Sequence, residues 1–143
     1  MNISNEQLKI IVNAYLRALT FSDGSEPEDK YYGCDDVGFP DEFMDGLEER
    51  ISMFIRENSK DVDSYFRSVM AMTDCLPHDV DQKEYVLTQF GEDLYLTQAG
   101  HVSGFWDQPY SDGFSAEKLS KNAWEQSFSV EIEMDDSNQL IWR

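Results

Sequence analysis

Leu8, Ile11, Val12, Tyr15, Leu16 and Leu19 recur at every third or fourth position. At 3.6 residues per turn that spacing lines them along one face of a helix. Ser4 and Gln7 form a capping box ahead of the run, so a helix is expected to about Thr20. A second run, Phe43, Leu47, Ile51, Phe54 and Ile55, follows Pro40 as a first-turn proline and predicts a helix to about Asn58. A third presents Val62, Tyr65, Phe66, Val69 and Met70, capped by Asp61 and ending before Pro77. Between the first two lies "FSDGSEPEDKYYGCDDVGFPD", rich in Gly, Pro and acids and without periodicity, which reads as a long loop. Its aromatics Tyr31, Tyr32 and Phe39 suggest partial docking.

Beyond residue 78 the pattern changes. A short helix from Asp79 or Asp81 is expected, with Tyr85, Val86 and Phe90 inward and a strand from Tyr85 as the alternative. After Gly91 the segments "EDLYLT", "QAG" and "HVSGFW" have the form of a hairpin with a glycine-containing turn. Ser115 caps a further helix containing Leu119, Ala123 and Trp124. Phe128, Val130, Ile132 and Met134 then alternate with polar residues, as in a half-buried strand. The turn "DDSN" leads to a closing strand "QLIWR" and a second hairpin. Together these predict an α+β domain, with N-terminal helices on one face of an antiparallel sheet of about four strands made of two hairpins. At 143 residues the chain fits one domain, 1–143, with a helical half (1–78) and a hairpin-helix-hairpin half (79–143).

The charge restricts partners rather than fold. The chain carries 29 acids, 11 bases and a net charge of -18, while 41% hydrophobic and 13% aromatic residues are globular values. The excess lies away from the first helix: residues 21–63 hold 14 acids against four bases. Such a field repels nucleic acid and anionic lipid and attracts basic proteins. No apolar run is long enough to span a membrane, and the N-terminus has no signal-peptide pattern, so a cytoplasmic setting is expected.

Cys34, Cys75, His78 and His101 are the soft and imidazole ligands available for zinc. Cys75 and His78 form one close pair where structural sites have two, so no metal or other cofactor is expected. Neither cysteine sits in a nucleophile signature, and a calcium loop begun at Asp79 fails, with Lys83 at the fifth position and Glu84 where glycine is required. Phosphate-loop, dinucleotide and nucleophile-elbow patterns are absent from the sequence, and no enzyme activity is expected. In "QAGHVSGFWD", Gly100 supplies a positive φ for the turn, and Gly104 allows a bulge or close approach beside Phe105 and Trp106. His101 and Asp107 belong to the same motif, which reads as structural.

This motif also carries a resemblance. Tyr95-Leu96-Thr97, Gly100-His101, Gly104-Phe105-Trp106-Asp107, the helix near Leu119, then Val130, Ile132, Asp135, Asp136 and Ile141 resemble a family of small tailed-bacteriophage proteins with no established activity. Two positions depart from that pattern: Val102 stands where a second glycine is frequent, and Gln108 where a basic residue usually follows the aspartate. The resemblance implies a phage origin and a setting in the host cell cytoplasm.

The function expected is a small acidic phage protein that binds and inhibits a basic host factor, a defence or nucleic-acid-binding protein, by DNA mimicry. The expected partner-binding residues are Asp35, Asp36, Asp41, Glu42, Asp45, Glu48 and Glu49. Those on the second helix span about 12 Å from Asp41 to Glu49, a charge density of the order of a DNA strand's. The alternative is a phage accessory module that docks through exposed aromatics, without mimicry, and a small metal-binding enzyme is the third reading. Homodimer formation stays open.

Overall fold

The computed structural model describes residues 3–23, 41–73, 81–100, 104–108, 113–125, 132–134 and 140–142. In chain order the elements are α1 (Asn5–Asp23), α2 (Asp41–Glu57), α3 (Ser59–Met72), α4 (Gln82–Gln98), a single 3-10 turn (Phe105–Asp107), α5 (Gly113–Glu125), β1 (Ile132–Met134) and β2 (Leu140–Trp142).

α1 starts as its sequence dictates. The Ser4 amide donates to Gln7 Oε1 at 2.9 Å, and the Gln7 amide donates back to Ser4 Oγ at 3.2 Å, so two amides without helical partners are satisfied. Its apolar face, Ile11, Val12, Tyr15, Leu16 and Leu19, is buried, as are Phe43, Leu47, Ile51, Phe54 and Ile55 of α2. α3 buries Val62, Tyr65 and Val69. Its helix begins two residues before Asp61, which lies in the first turn and accepts from Ser115 Oγ at 3.1 Å instead of capping. Ser115 likewise ties α5 to α3 rather than capping α5, which starts earlier, at Gly113.

The expected α+β architecture is overturned. Among the described residues five helices form the core, and the sheet consists of β1 and β2 alone. These pair antiparallel in the register Ile132 with Trp142, Glu133 with Ile141 and Met134 with Leu140. The first expected hairpin, residues 92–106, does not form: residues 92–98 continue α4 straight through Gly91.

The physical reason lies in where α4 sits. Val86, Leu87, Phe90, Gly91, Asp93, Leu94, Tyr95 and Thr97 are all buried. At 100° per residue they occupy more than half of the circumference, as befits a central helix with neighbours on several sides. Asp93 and Thr97 are polar yet inside that arc, which blunts the 3.6-residue pattern and leaves the local alternation around Leu94 and Leu96 to suggest a strand. The start of α4 obeys capping rules, with the Glu84 amide donating to Asp81 Oδ1 at 3.1 Å. Tyr85, expected inward, is exposed.

Among the described elements α1 and α4 make the most extensive interface. Gln7 lines a groove with Leu87, Ile11 meets Gly91, and Tyr15 packs edge-on against Tyr95 with ring centres 5.4 Å apart. Partners that rise together in number make the two helices parallel. A Cβ at Gly91 would collide with the carbonyl oxygen of Ile11 and stand 2.9 Å from Ala14 Cβ. The glycine is therefore the point at which the two backbones approach.

Candidate functional site

α2 fixes its inner face in the core and thereby directs Asp41, Asp45 and Glu49 outward, one turn apart and all exposed. Four residues of helix rise about 6 Å, so these carboxylates form a stripe about 12 Å long. Glu48 is half-buried beside it. Asp41 also occupies the first turn, where a negative charge favours the helix dipole. Arg50 and Arg56 are exposed on the same helix. The exposed i,i+4 ion pairs Arg67–Asp63 (3.3 Å) and Lys121–Glu125 (3.9 Å) lie on α3 and α5, away from this stripe. Asp35 and Asp36 lie outside the described residues, as does the side chain of Glu42.

The segment after α4 is organised around Thr97, which is fully buried. Gly100 has φ of +74°, the left-handed conformation that ends helices, and its amide donates to the Thr97 carbonyl at 3.2 Å. The positive φ expected of Gly100 is present, but it closes a helix and not a hairpin. His101 lies outside the described residues. Thr97 Oγ1 accepts from the Phe105 amide at 3.0 Å, and the Trp124 indole Nε1 donates to the Thr97 carbonyl at 2.6 Å. A Cβ at Gly104 would stand 2.5 Å from Thr97 Oγ1 and 2.8 Å from the Trp106 ring, so only glycine fits between them. Asp107 Oδ2 closes the turn by accepting from the Gly104 amide at 3.2 Å.

A 3-10 turn separates Phe105 and Trp106 into one buried and one exposed side chain. Phe105 is fully buried: its ring lies parallel to that of Phe54 (centres 6.3 Å apart) and edge-on to Tyr65 at 5.5 Å. Trp106 is 41% exposed and Trp124 62% exposed. "GFWD" thus plugs the core with its phenylalanine and leaves its tryptophan on the surface.

Sequence reasoning misses Asp93. This carboxylate is buried, with Oδ2 accepting from Tyr65 Oη and Gln108 Nε2, both at 2.7 Å, and Oδ1 accepting from Gln89 Nε2 at 3.3 Å. Burial pushes the carboxyl up to about 6, against the pull of those three donors, and the neighbouring Glu92 charge adds to the rise. Glu92 is itself raised by burial and held back by Arg17. The Asp93 cluster joins α3, α4 and the segment after the 3-10 turn. Once α4 is taken as a helix, Asp93 falls one turn from Phe90 and Thr97 on its buried side; that acid among core positions is the signal in the sequence.

A groove of about 160 Å³ opens between α1, α3 and α4, with Ile3, Phe66, Met70, Val86 and Leu87 as apolar lining and Gln7 and Lys83 as polar lining. Among the described residues no group of three His, Cys, Asp or Glu side chains is placed to hold a metal ion. Cys34, Cys75 and His78 lie outside them, as His101 does. No described helix is long and apolar enough to cross a membrane. Comparison with protein-family models, with curated proteins and with solved structures gives no match.

Proposed function

We propose that this chain is a non-enzymatic, acidic binding protein that occupies and inhibits a basic partner, presenting carboxylates where that partner expects phosphates. One observation carries the reading: the α2 stripe of Asp41, Asp45 and Glu49 is exposed on a helix whose opposite face is locked in the core, in a chain of net charge -18. Rigid carboxylates about 6 Å apart offer a basic groove a preorganised anionic ridge, and long-range attraction raises the rate of encounter. The setting that goes with this reading is a phage protein in the host cell cytoplasm, directed at a defence or nucleic-acid-binding protein.

The test is recovery of partners from a bacterial host lysate at low salt, with the wild type beside a variant carrying Asp41→Asn, Asp45→Asn, Glu48→Gln and Glu49→Gln. The wild type should retain basic nucleic-acid-binding proteins and release them as salt is raised. Equal recovery by the variant removes α2 as the contact, and recovery of no basic protein at any salt removes the reading. The exposed indoles of Trp106 and Trp124 favour a second component, aromatic docking, which should persist at high salt.

A further inference from the structure

Two segments 18 residues apart in the chain repeat one pattern on the surface. Trp106 is followed by Asp107 and Trp124 by Glu125, and all four residues are exposed. α5 packs against the 3-10 turn, which brings both tryptophan-bearing segments to the end of α4 near Thr97. Trp124 is held through its indole N–H on the Thr97 carbonyl, and the Trp106 ring lies over Gly104, the residue seated on Thr97 Oγ1. A tryptophan whose N–H is already engaged contributes to an interface chiefly through the faces of its ring.

Neither indole is needed to fill the core, which Phe105 already plugs from the same segment. Large aromatic rings kept at the surface by specific contacts point to recognition more than to solubility. The indole face carries negative electrostatic potential and attracts guanidinium and ammonium groups. Each ring is followed in sequence by an exposed carboxylate, which adds negative charge to the same part of the surface. Asp107 spends one interaction on the Gly104 amide but has acceptor capacity beyond it, and Glu125 meets Lys121 only in an exposed pair at 3.9 Å, of the kind a guanidinium readily replaces.

We propose that Trp106–Asp107 and Trp124–Glu125 form a docking surface for arginine and lysine side chains of a basic protein segment. The occupant follows from charge complementarity, since a chain with a net charge of -18 selects against acidic partners across its whole surface. This rests on the acidic-binder reading and adds to it a second surface, at the α4–α5 end, that works by ring contact as well as by charge.

The experiment titrates the whole protein with a nine-residue all-arginine peptide and with its all-lysine counterpart at about 150 mM salt, where distant charges are screened. Calorimetry gives the dissociation constant, and NMR follows the indole Hε1 signals. The wild type should bind the arginine peptide more tightly than the lysine one and shift the Trp106 and Trp124 signals. Trp106→Ala with Trp124→Ala should weaken arginine-peptide binding about tenfold, the sum of two exposed cation–π contacts. The α2 amide variant should instead flatten the salt dependence. Should the double variant lose its fold by circular dichroism, Trp124→Ala alone, at the more exposed ring, should weaken binding severalfold. Tryptophan variants that bind as the wild type does overturn this surface and leave the acidic-binder reading standing. A wild type that binds neither peptide overturns both. Sedimentation showing a wild-type dimer that the double variant abolishes would assign the indoles to a second copy of the chain and overturn the basic occupant.

Discussion

The Tyr65 hydroxyl donates to Asp93 Oδ2 at 2.7 Å across the interface of α3 and α4, inside the domain. A buried carboxylate so placed couples the proton concentration outside to the packing of three separate segments. Removing the hydroxyl with Tyr65→Phe should raise the Asp93 pKa above its already high value, because a donor to the charged form is lost. The variant should also be about 2 kcal/mol less stable at neutral pH, and less affected near pH 4, where the carboxyl is protonated with or without its donor. Urea unfolding of both proteins at the two pH values measures this.

Asp93 also sets a direction for stability against pH. Its carboxyl titrates at about 6 in the fold and near its ordinary 3.8 when unfolded, so the folded chain binds the proton more tightly. The resulting stabilisation is fully present below about pH 4 and is lost as pH rises through about 6. It amounts to at most about 3 kcal/mol. Wild type and Asp93→Asn should therefore differ in the pH dependence of unfolding mainly between pH 4 and 7, and the Asp93 carboxyl carbon should titrate with a midpoint near 6 by NMR.

Gly91 and Gly46 should respond to alanine with opposite signs. Gly46 has open space around a Cβ, so Gly46→Ala should stabilise α2 by about 0.5–1 kcal/mol through helix propensity. Gly91→Ala would drive a methyl into the Ile11 backbone and should cost about 3 kcal/mol or abolish folding, despite the same gain in propensity. Thermal melts of the two single variants decide the comparison.

Thr97→Val keeps the shape of the side chain and removes the acceptor for the buried Phe105 amide. The loss should be about 1–3 kcal/mol. Because Trp106 sits on the same turn, its indole NMR signal should move in this variant even without any ligand.

Gln108 donates a neutral amide to Asp93, so no cation offsets the buried charge from that side. Gln108→Lys should lower the Asp93 pKa and move the loss of stability to lower pH, a shift seen directly in the carboxyl titration.

Some of this was open to sequence reading and some was not, for identifiable causes. The capping pair Ser4–Gln7 and the inward residues of α1 and α2 follow from local rules, and the structure shows both. The half of α4 beyond Gly91 escaped because its partners surround it: a helix buried over half its girth has no clean polar face, and Gly91 resembles a break when its real role is close packing against Ile11. Once residues 92–97 are read as the first strand of a hairpin, Leu94 and Leu96 fall on one face of that strand, and Asp93 becomes one more surface acid among 29. Which of Phe105 and Trp106 turns inward is not set by local alternation, and the anchoring of the Phe105 amide and the Trp124 indole on Thr97 is a tertiary fact that no local spacing encodes.

The parallel pairing of α1 with α4 has a cost during synthesis. α1 ends at Asp23 and its main partner is complete only at Gln98, so at about 5–20 residues per second the ribosome leaves α1 waiting for roughly 4 to 15 s. Throughout that interval Ile11, Tyr15 and Leu19 have no α4 to cover them, and holding chaperones are their natural companions. A product terminated before α4 would never acquire that cover, which makes truncated chains candidates for rapid degradation.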